Sequence, residues 1–364
     1  MNNNNNNTVS KEITMKKLLL GTVVALTTAT TALADFTMLV PQKPGGGTSV
    51  WAEIVAGELE KFLGEDINIV HIPGARDIPG FETFHNEMQF DDDVIMVSHG
   101  GNGVSFLQES VDYNYADYES IGMMNLNIIA GKQIGVELDT GGIRFAAGSG
   151  MVPEAFAMTM LVCGPDKTVD EYGKCFKENV TWVNGMSGGE RRLAFKRGEL
   201  NGTRENPAAY KKHVESNSDA EVWFHHGILQ ADGSHADDPN YPGYQFELLF
   251  EQQWGVAPSG EFYDAYKLVK SFRDGLQKAL WVRSDNPNAE RLQQALTDMA
   301  ADPISSSVIE KKVGDYDWII GAQGNAHRDT LMSFITEQAL GDLVKFNTQA
   351  LGLDSVYKPE LIGK

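Results

Sequence analysis

Four glycine-rich loops in this chain have the composition of anion sites. They are Pro41-Gln42-Lys43-Pro44-Gly45-Gly46-Gly47-Thr48, Ser98-His99-Gly100-Gly101, Gly148-Ser149-Gly150 and Gly185-Met186-Ser187-Gly188-Gly189. Each follows an apolar, β-rich run and precedes a helical or turn-rich stretch. A helix start leaves unpaired N–H groups and about half a positive charge from its aligned peptides. Glycine lets an anion approach that backbone closely. Taken singly, each run reads equally well as a turn.

Other constellations fall short of a chemistry. Ser187-Gly188-Gly189-Glu190 echoes a motif of ATP-binding-cassette ATPases, but no G-x-x-x-x-G-K-[ST] phosphate loop occurs. Gly45-Gly46-Gly47 does not complete a dinucleotide fingerprint. His225, His226 and His235, with Asp232, Asp237 and Asp238, match neither H-E-x-x-H nor a calcium loop. The expectation there is a solvated, irregular loop before Pro239. No catalytic residue, metal or cofactor is assigned. Trp51, Trp182, Trp254 and Phe195 are read as core, with a place on the cleft wall as a second reading for Trp254. Arg191, Arg192, Lys196 and Arg197 are read as a helix's solvated face.

The elements that must position these loops alternate. A strand over Phe36 to Val40 feeds the first loop and a helix carrying Trp51, Ile54, Val55 and Leu59 on one side. Strands follow at Ile67 to Ile72 and Val94 to Val97, with a helix from Pro79 to about Met88 between them. After a β-rich passage, Ile128 to Val136, the rhythm restarts. A strand at Ile143 to Ala147 leads to a helix over Glu154 to Leu161, and Thr181 to Val183 to a helix through Phe195. Leu200 to Arg204 and Glu221 to Phe224 follow. From Phe262 the pattern is mostly helical, including Ala265 to Trp281, Asn288 to Ala300 and Asp329 to Leu351. Strand, glycine loop and helix in repetition predict parallel α/β lobes, with a cleft outside the strand ends.

Composition agrees. The chain has 364 residues, long for a single core, so two lobes are expected. Its formal charge of −20 argues against a nucleic-acid partner, which needs a basic face. Two cysteines cannot make a four-thiolate zinc site. The first residues form an asparagine run, Asn2 to Asn7, followed by Met15-Lys16-Lys17, an apolar stretch from Leu18 to Leu26 and Ala32-Leu33-Ala34. That order describes a secretory signal peptide cleaved after Ala34, with Met15 a possible start. Cleavage there takes the charge from −20 to −22, because three lysines and one glutamate leave. In an oxidising compartment Cys163 and Cys175, set around Gly164-Pro165-Asp166, are expected to bridge.

At its loops the chain resembles the solute-binding proteins of tripartite tricarboxylate transporters. Met38-Leu39-Val40-Pro41 with Lys43-Pro44-Gly45-Gly46-Gly47-Thr48 is similar to their opening strand and loop. His71-Ile72-Pro73-Gly74-Ala75 with Gly80 is similar to their N-x-P-G-A-G-G-x-x-G stretch, and Val97-Ser98-His99-Gly100-Gly101 to their strand with a small polar tip. Phe145-Ala146-Ala147-Gly148-Ser149-Gly150 resembles Y-A-S-x-G-x-G-S, Arg197-Gly198-Glu199-Leu200-Asn201 resembles G-G-x-V-D, and Trp254-Gly255-Val256-Ala257-Pro258 resembles W-x-G-x-x-A-P. Order and spacing carry the likeness over nearly the whole chain after the leader.

The resemblance implies a two-lobed periplasmic-binding-protein fold, type II-like, each lobe a sheet flanked by helices with the ligand cleft between them. Lobe one would comprise 35–132 and 254–364, lobe two 133–253, and residues 1–34 would be extension and signal peptide. The segments 128–136 and 246–258 would act as hinge. It implies a monomeric extracytoplasmic receptor, not an enzyme, that captures a small di- or tricarboxylate and delivers it to the membrane subunits of a tripartite carrier. The candidate ligand residues are Gly46, Gly47, Thr48, Ser98, Gly100 and Gly101 from lobe one. Lobe two would offer Gly148, Ser149, Gly150, Ser187 and Gly188, with Arg204 or Asn206 capping the far end. The chain departs from the family pattern at Ser49, Arg76-Asp77, Met151 and Asn201. Lost acids and the added Arg76 and Arg204 predict a more positive cleft, suited to a ligand with more than one carboxylate. Two other readings stand beside this one: a secreted hydrolase acting on a carboxylate ester, and the receptor of an ATP-driven importer for another small solute.

Overall fold

A computed structural model describes residues 36–74, 77–148, 152–216, 220–353 and 357–358. The signal peptide, its cleavage site and Met15 lie outside these residues, as do Arg76, Ser149, Gly150 and Met151. The chain begins with β1 (Phe36–Val40), α1 (Gly47–Leu63), β2 (Ile67–His71), α2 (Ile78–Thr83), β3 (Val94–His99) and β4 (Tyr118–Met124). β1 is apolar on both faces, as a strand covered on both sides must be, and pairs in parallel with β2 and β3. α1 buries Trp51, Ala52, Val55 and Leu59 against this sheet and stops at Gly64, which takes the left-handed conformation a helix end favours.

The chain then crosses to β5 (Ile129–Gln133), β6 (Ile143–Ala147), α3 (Pro153–Cys163), α4 (Val169–Asn179), β7 (Val180–Asn184), α5 (Gly188–Lys196), β8 (Gly202–Glu205), α6 (Pro207–Tyr210) and β9 (Ala220–His225). β5 lies antiparallel between β8 and β9, and β6 pairs in parallel with β7. The short β10 (Ile228–Leu229) and β11 (His235–Ala236) form a ribbon, and α7 (Phe246–Trp254) and α8 (Glu261–Gly275) lead back. The rest is β12 (Lys278–Arg283), α9 (Ala289–Ala301), α10 (Pro303–Val313), β13 (Trp318–Ile320), α11 (Ala322–Ser333) and α12 (Glu337–Phe346). The first sheet has the order β13-β4-β12-β3-β1-β2.

Three expectations change. The helix expected to run to Trp281 ends at Gly275, and Lys278–Arg283 is a strand between β3 and β4, antiparallel to both. Ala279, Leu280, Trp281 and Val282 are fully buried there. A short apolar run looks the same on a buried helix and in a central strand. The first sheet is therefore mixed, not parallel throughout. The crossing falls at residues 125–128, ahead of Lys132, because β5 pairs wholly within the second sheet. The chain's end does not stay with the first sheet. Phe346 of α12 packs on Phe156 of α3 and Phe176 of α4, at ring distances of 4.6 and 5.5 Å. Lys345 Nζ lies 2.7 Å from Asp170 of α4.

Cys163 and Cys175 form a disulfide joining the end of α3 to α4, with their Cα atoms 6.2 Å apart. A second tie is polar. Lys270 of α8, fully buried, bonds Glu247 of α7, donates to the His226 carbonyl at 3.2 Å and lies 4.8 Å from the Tyr266 ring centre. Removing one partner of a buried ion pair strands the other charge. Lys270→Met should therefore cost about 3–5 kcal/mol in urea denaturation, and the double variant Lys270→Met/Glu247→Leu should recover most of it.

Candidate functional site

A cleft of about 950 Å³ opens where the ends of β1 and β3 face those of β6 and β7. Gly46, Gly47 and Thr48 line it from the first set of elements, and Gly148, Ser187, Gly188, Arg204 and Asn206 from the second. The two sides are close. A Cβ added at Gly47 would come within 3.8 Å of Asn206 Nδ2. Gly46 caps α1 with no side chain and the first turn carries no acid, so nothing charged competes for the α1 amides. The start of α5 is different. Ser187 and Glu190 make a capping box, in which the Ser187 N–H donates to Glu190 Oε2 at 2.7 Å and the Glu190 N–H to Ser187 Oγ at 3.4 Å.

Two of the expected residues do not face the cleft. Ser98 is fully buried and its hydroxyl donates to the Leu276 carbonyl at 2.9 Å. A Cβ at Gly100 would sit 2.0 Å from the Arg273 carbonyl, so this glycine admits α8 against β3 and does not offer a donor to a ligand. Gly101 remains on the cleft wall, with its N–H donating to His99 Nδ1 at 3.2 Å. His225 and His226, expected on a solvated loop, are fully buried, as is Asp238. Trp254 is 39% exposed, not core, and donates from Nε1 to the Leu161 carbonyl at 3.2 Å, away from the cleft.

Cations dominate the cleft, and sequence reasoning missed most of them. Lys278 and Arg273 line it from β12 and α8, Arg191 and Arg192 from α5, beside the expected Arg204. Arg191 was read as solvated, yet it is nearly buried. The Ser187-x-x-Glu190 spacing was a legible signal, since it starts the helix at Gly188 and sets Arg191 one turn from the loop. Lys278 donates to Thr48 Oγ1 at 2.9 Å. Burial pulls its amine down to about 7, Asp77 opposing and Arg273 adding to the fall. Burial likewise lowers the Arg204 guanidinium to about 9, against the pull of Glu154, leaving it charged at neutral pH. Arg192 makes a two-pronged pair with Glu205, 2.8 Å on each side. The Nε atoms of Arg191, Arg204 and Arg273 are buried without a hydrogen-bond partner.

Sequence reasoning also missed a string. Gly185-Met186-Ser187-Gly188-Gly189 fits G-x-S-x-G on a strand-to-helix turn, the setting of a hydrolase nucleophile. The geometry is not that of a strained elbow. Ser187 has an ordinary extended backbone, φ −64° and ψ 163°, and its Oγ serves as the helix cap.

Separate sheets, a cleft at their strand ends and a chain that passes between them more than once decide the architecture. The fold is that of the two-lobed periplasmic binding proteins. The periplasmic binding protein BugD matches over 86% of this chain and 97% of its own, at 15% identity and a TM-score of 0.54. MatC from Rhodopseudomonas palustris, solved with malate, matches over 86% and 98% at 13% identity and a TM-score of 0.51. Rpa4515 from the same organism, solved with adipate, matches over 87% and 97% at 11% identity and a TM-score of 0.51. No family model and no curated protein sequence matches the chain. Lys278 and the arginines lie in the cleft between the two halves of this fold.

An anion beside Lys278 favours its charged form and raises its pKa. Because burial brings the free amine down to about 7, binding of an anion beside it at pH 8 should take up protons. Affinity should weaken as pH rises above 7. Calorimetry in two buffers of different ionisation enthalpy checks this, and Lys278→Met should abolish the uptake.

Proposed function

We propose that this chain is an extracytoplasmic receptor that closes two lobes on a small organic anion carrying two or more carboxylates. It then delivers that anion to the membrane subunits of a secondary tripartite carrier. The single observation that carries this reading is the cleft's cations. Lys278 and Arg273 belong to elements following the return crossing, Arg191 and Arg204 to the second set, and the guanidinium Nε atoms lack partners. Cations on both walls suit an anion with charge at both ends. The malate and adipate held by MatC and Rpa4515 support the same class. Within it, Gly46, Gly47, Thr48, Gly101, Gly148, Gly188 and Asn206 contribute backbone and small polar groups, and Thr48 with Lys278 forms one end. Export by the expected signal peptide brings the receptor to the periplasm, where it acts as a monomer.

One contact favours a second reading, cleavage of a carboxylate ester. Thr48 Oγ1 lies 2.9 Å from an amine that titrates near 7, and a hydroxyl paired with a neutral amine is a nucleophile with its base. The same ligand panel separates the two readings: a receptor returns its ligand unchanged, whereas a hydrolase turns esters over.

A thermal-shift panel of mono-, di- and tricarboxylates tests the proposal. A true ligand at 100 times its dissociation constant should stabilise the protein by about 2.7 kcal/mol. Arg204→Ala should weaken that ligand by about tenfold to a hundredfold, the range of one charge-assisted hydrogen bond. A panel in which no carboxylate shifts the melting temperature would defeat the proposal.

A further inference from the structure

Behind the cleft wall, at the start of α3, stands a carboxylate that the binding reading does not use. Glu154 is fully buried. Its Oε1 lies 3.4 Å from Arg204 Nη1 and 3.8 Å from His226 Nε2, and its Oε2 has no hydrogen-bond partner. Arg204 and Arg273, both on the cleft wall, and His226 hold it ionised despite the burial that opposes this. Arg273 has its own carboxylate, Asp274 Oδ1, 3.0 Å from Nη1, and burial pushes the Asp274 carboxyl up. Glu154 itself does not line the cleft.

The balance of charge at this point is narrow. Arg191, Arg192, Arg204, Arg273 and Lys278 face Asp77 and Glu205 on the wall, with Glu154 and Asp274 behind. Five basic side chains stand against four acidic ones, so the excess of positive charge is small. In a low-dielectric setting each charge is felt strongly over several ångströms, so the counter-charge behind the wall subtracts directly from what the wall can offer.

We infer that Glu154 is a specificity-determining residue that sets how many negative charges the cleft accepts, by neutralising Arg204 from the side opposite the ligand. This rests on the carboxylate-receptor reading and adds to it a rule for ligand charge. With Glu154 ionised the cleft favours a dicarboxylate. With it neutral, one more negative charge on the ligand is compensated, and a tricarboxylate gains.

The test is the ratio of tricarboxylate to dicarboxylate affinity, measured by calorimetry with citrate and succinate at fixed pH and salt. Glu154→Gln keeps the shape and removes the charge, and should raise that ratio by about tenfold, given the strength of a buried charge at this range. Glu154→Asp keeps the charge but draws it back by one methylene, and should move the ratio the same way by a smaller step. A residue that only braces the fold would lower the melting temperature and weaken both ligands equally. An unchanged ratio in whichever variant stays folded, or loss of folding in both, overturns the inference. If the wild type binds neither probe, the ratio is measured with the di- and tricarboxylate that shift its melting temperature in the panel, and a panel with none defeats the receptor reading itself; wild-type binding with an unmoved ratio defeats only the role of Glu154.

Discussion

Positive charge withdrawn from water and turned toward an open cleft is the constraint on which this structure depends. Desolvating an ion costs several kcal/mol even after the protein relaxes, and Arg191, Arg204, Arg273 and Lys278 are all nearly buried. Each is held by an oxygen on one side, Lys278 by the Thr48 hydroxyl at 2.9 Å. Arg204 meets Glu154, Arg273 meets Asp274, and Arg191 donates to the Arg204 carbonyl at 3.4 Å. The Nε atoms of Arg191, Arg204 and Arg273 are buried without a hydrogen-bond partner. Under the receptor reading, an anion in the cleft would compensate this positive charge.

The framework that brings these cations to one place is the junction of α8 and β12. Two glycines let α8 approach the loop after β3: a Cβ at Gly100 would meet the Arg273 carbonyl at 2.0 Å, and one at Gly103 the Phe272 carbonyl at 2.5 Å. The Ser98 hydroxyl bonds the Leu276 carbonyl and fixes the turn that follows. Arg273, Gln277 and Lys278 are delivered to the cleft by this docking. The glycine loop after β3 thus serves helix packing on one side and the cleft at Gly101.

The formal charge of −20 coexists with this positive cleft without contradiction. Surface acids beyond about 10 Å are screened at ordinary salt, whereas charges inside a partly dry cleft are not. Under the receptor reading, local cations decide what is held. The net charge governs solubility and long-range repulsion.

Local pattern was enough for much of this protein. The alternation of apolar runs with glycine loops placed β1, α1, β2, β3, β6 and α3 close to their observed bounds, because periodicity and capping are written in neighbouring residues. It also brought the loops at Gly46, Gly148 and Ser187 to one cleft, since strand ends in α/β sheets converge. What sequence could not decide was anything set by contact between distant segments. Lys278 became a strand residue because β3 and β4 are there to pair with it. Arg191 left the solvent because β8 packs beside it, and α12 joined the second half because Phe156 and Phe176 cover Phe346. Burial and charge compensation belong to neighbours far apart in the chain, and only the folded molecule brings those neighbours together.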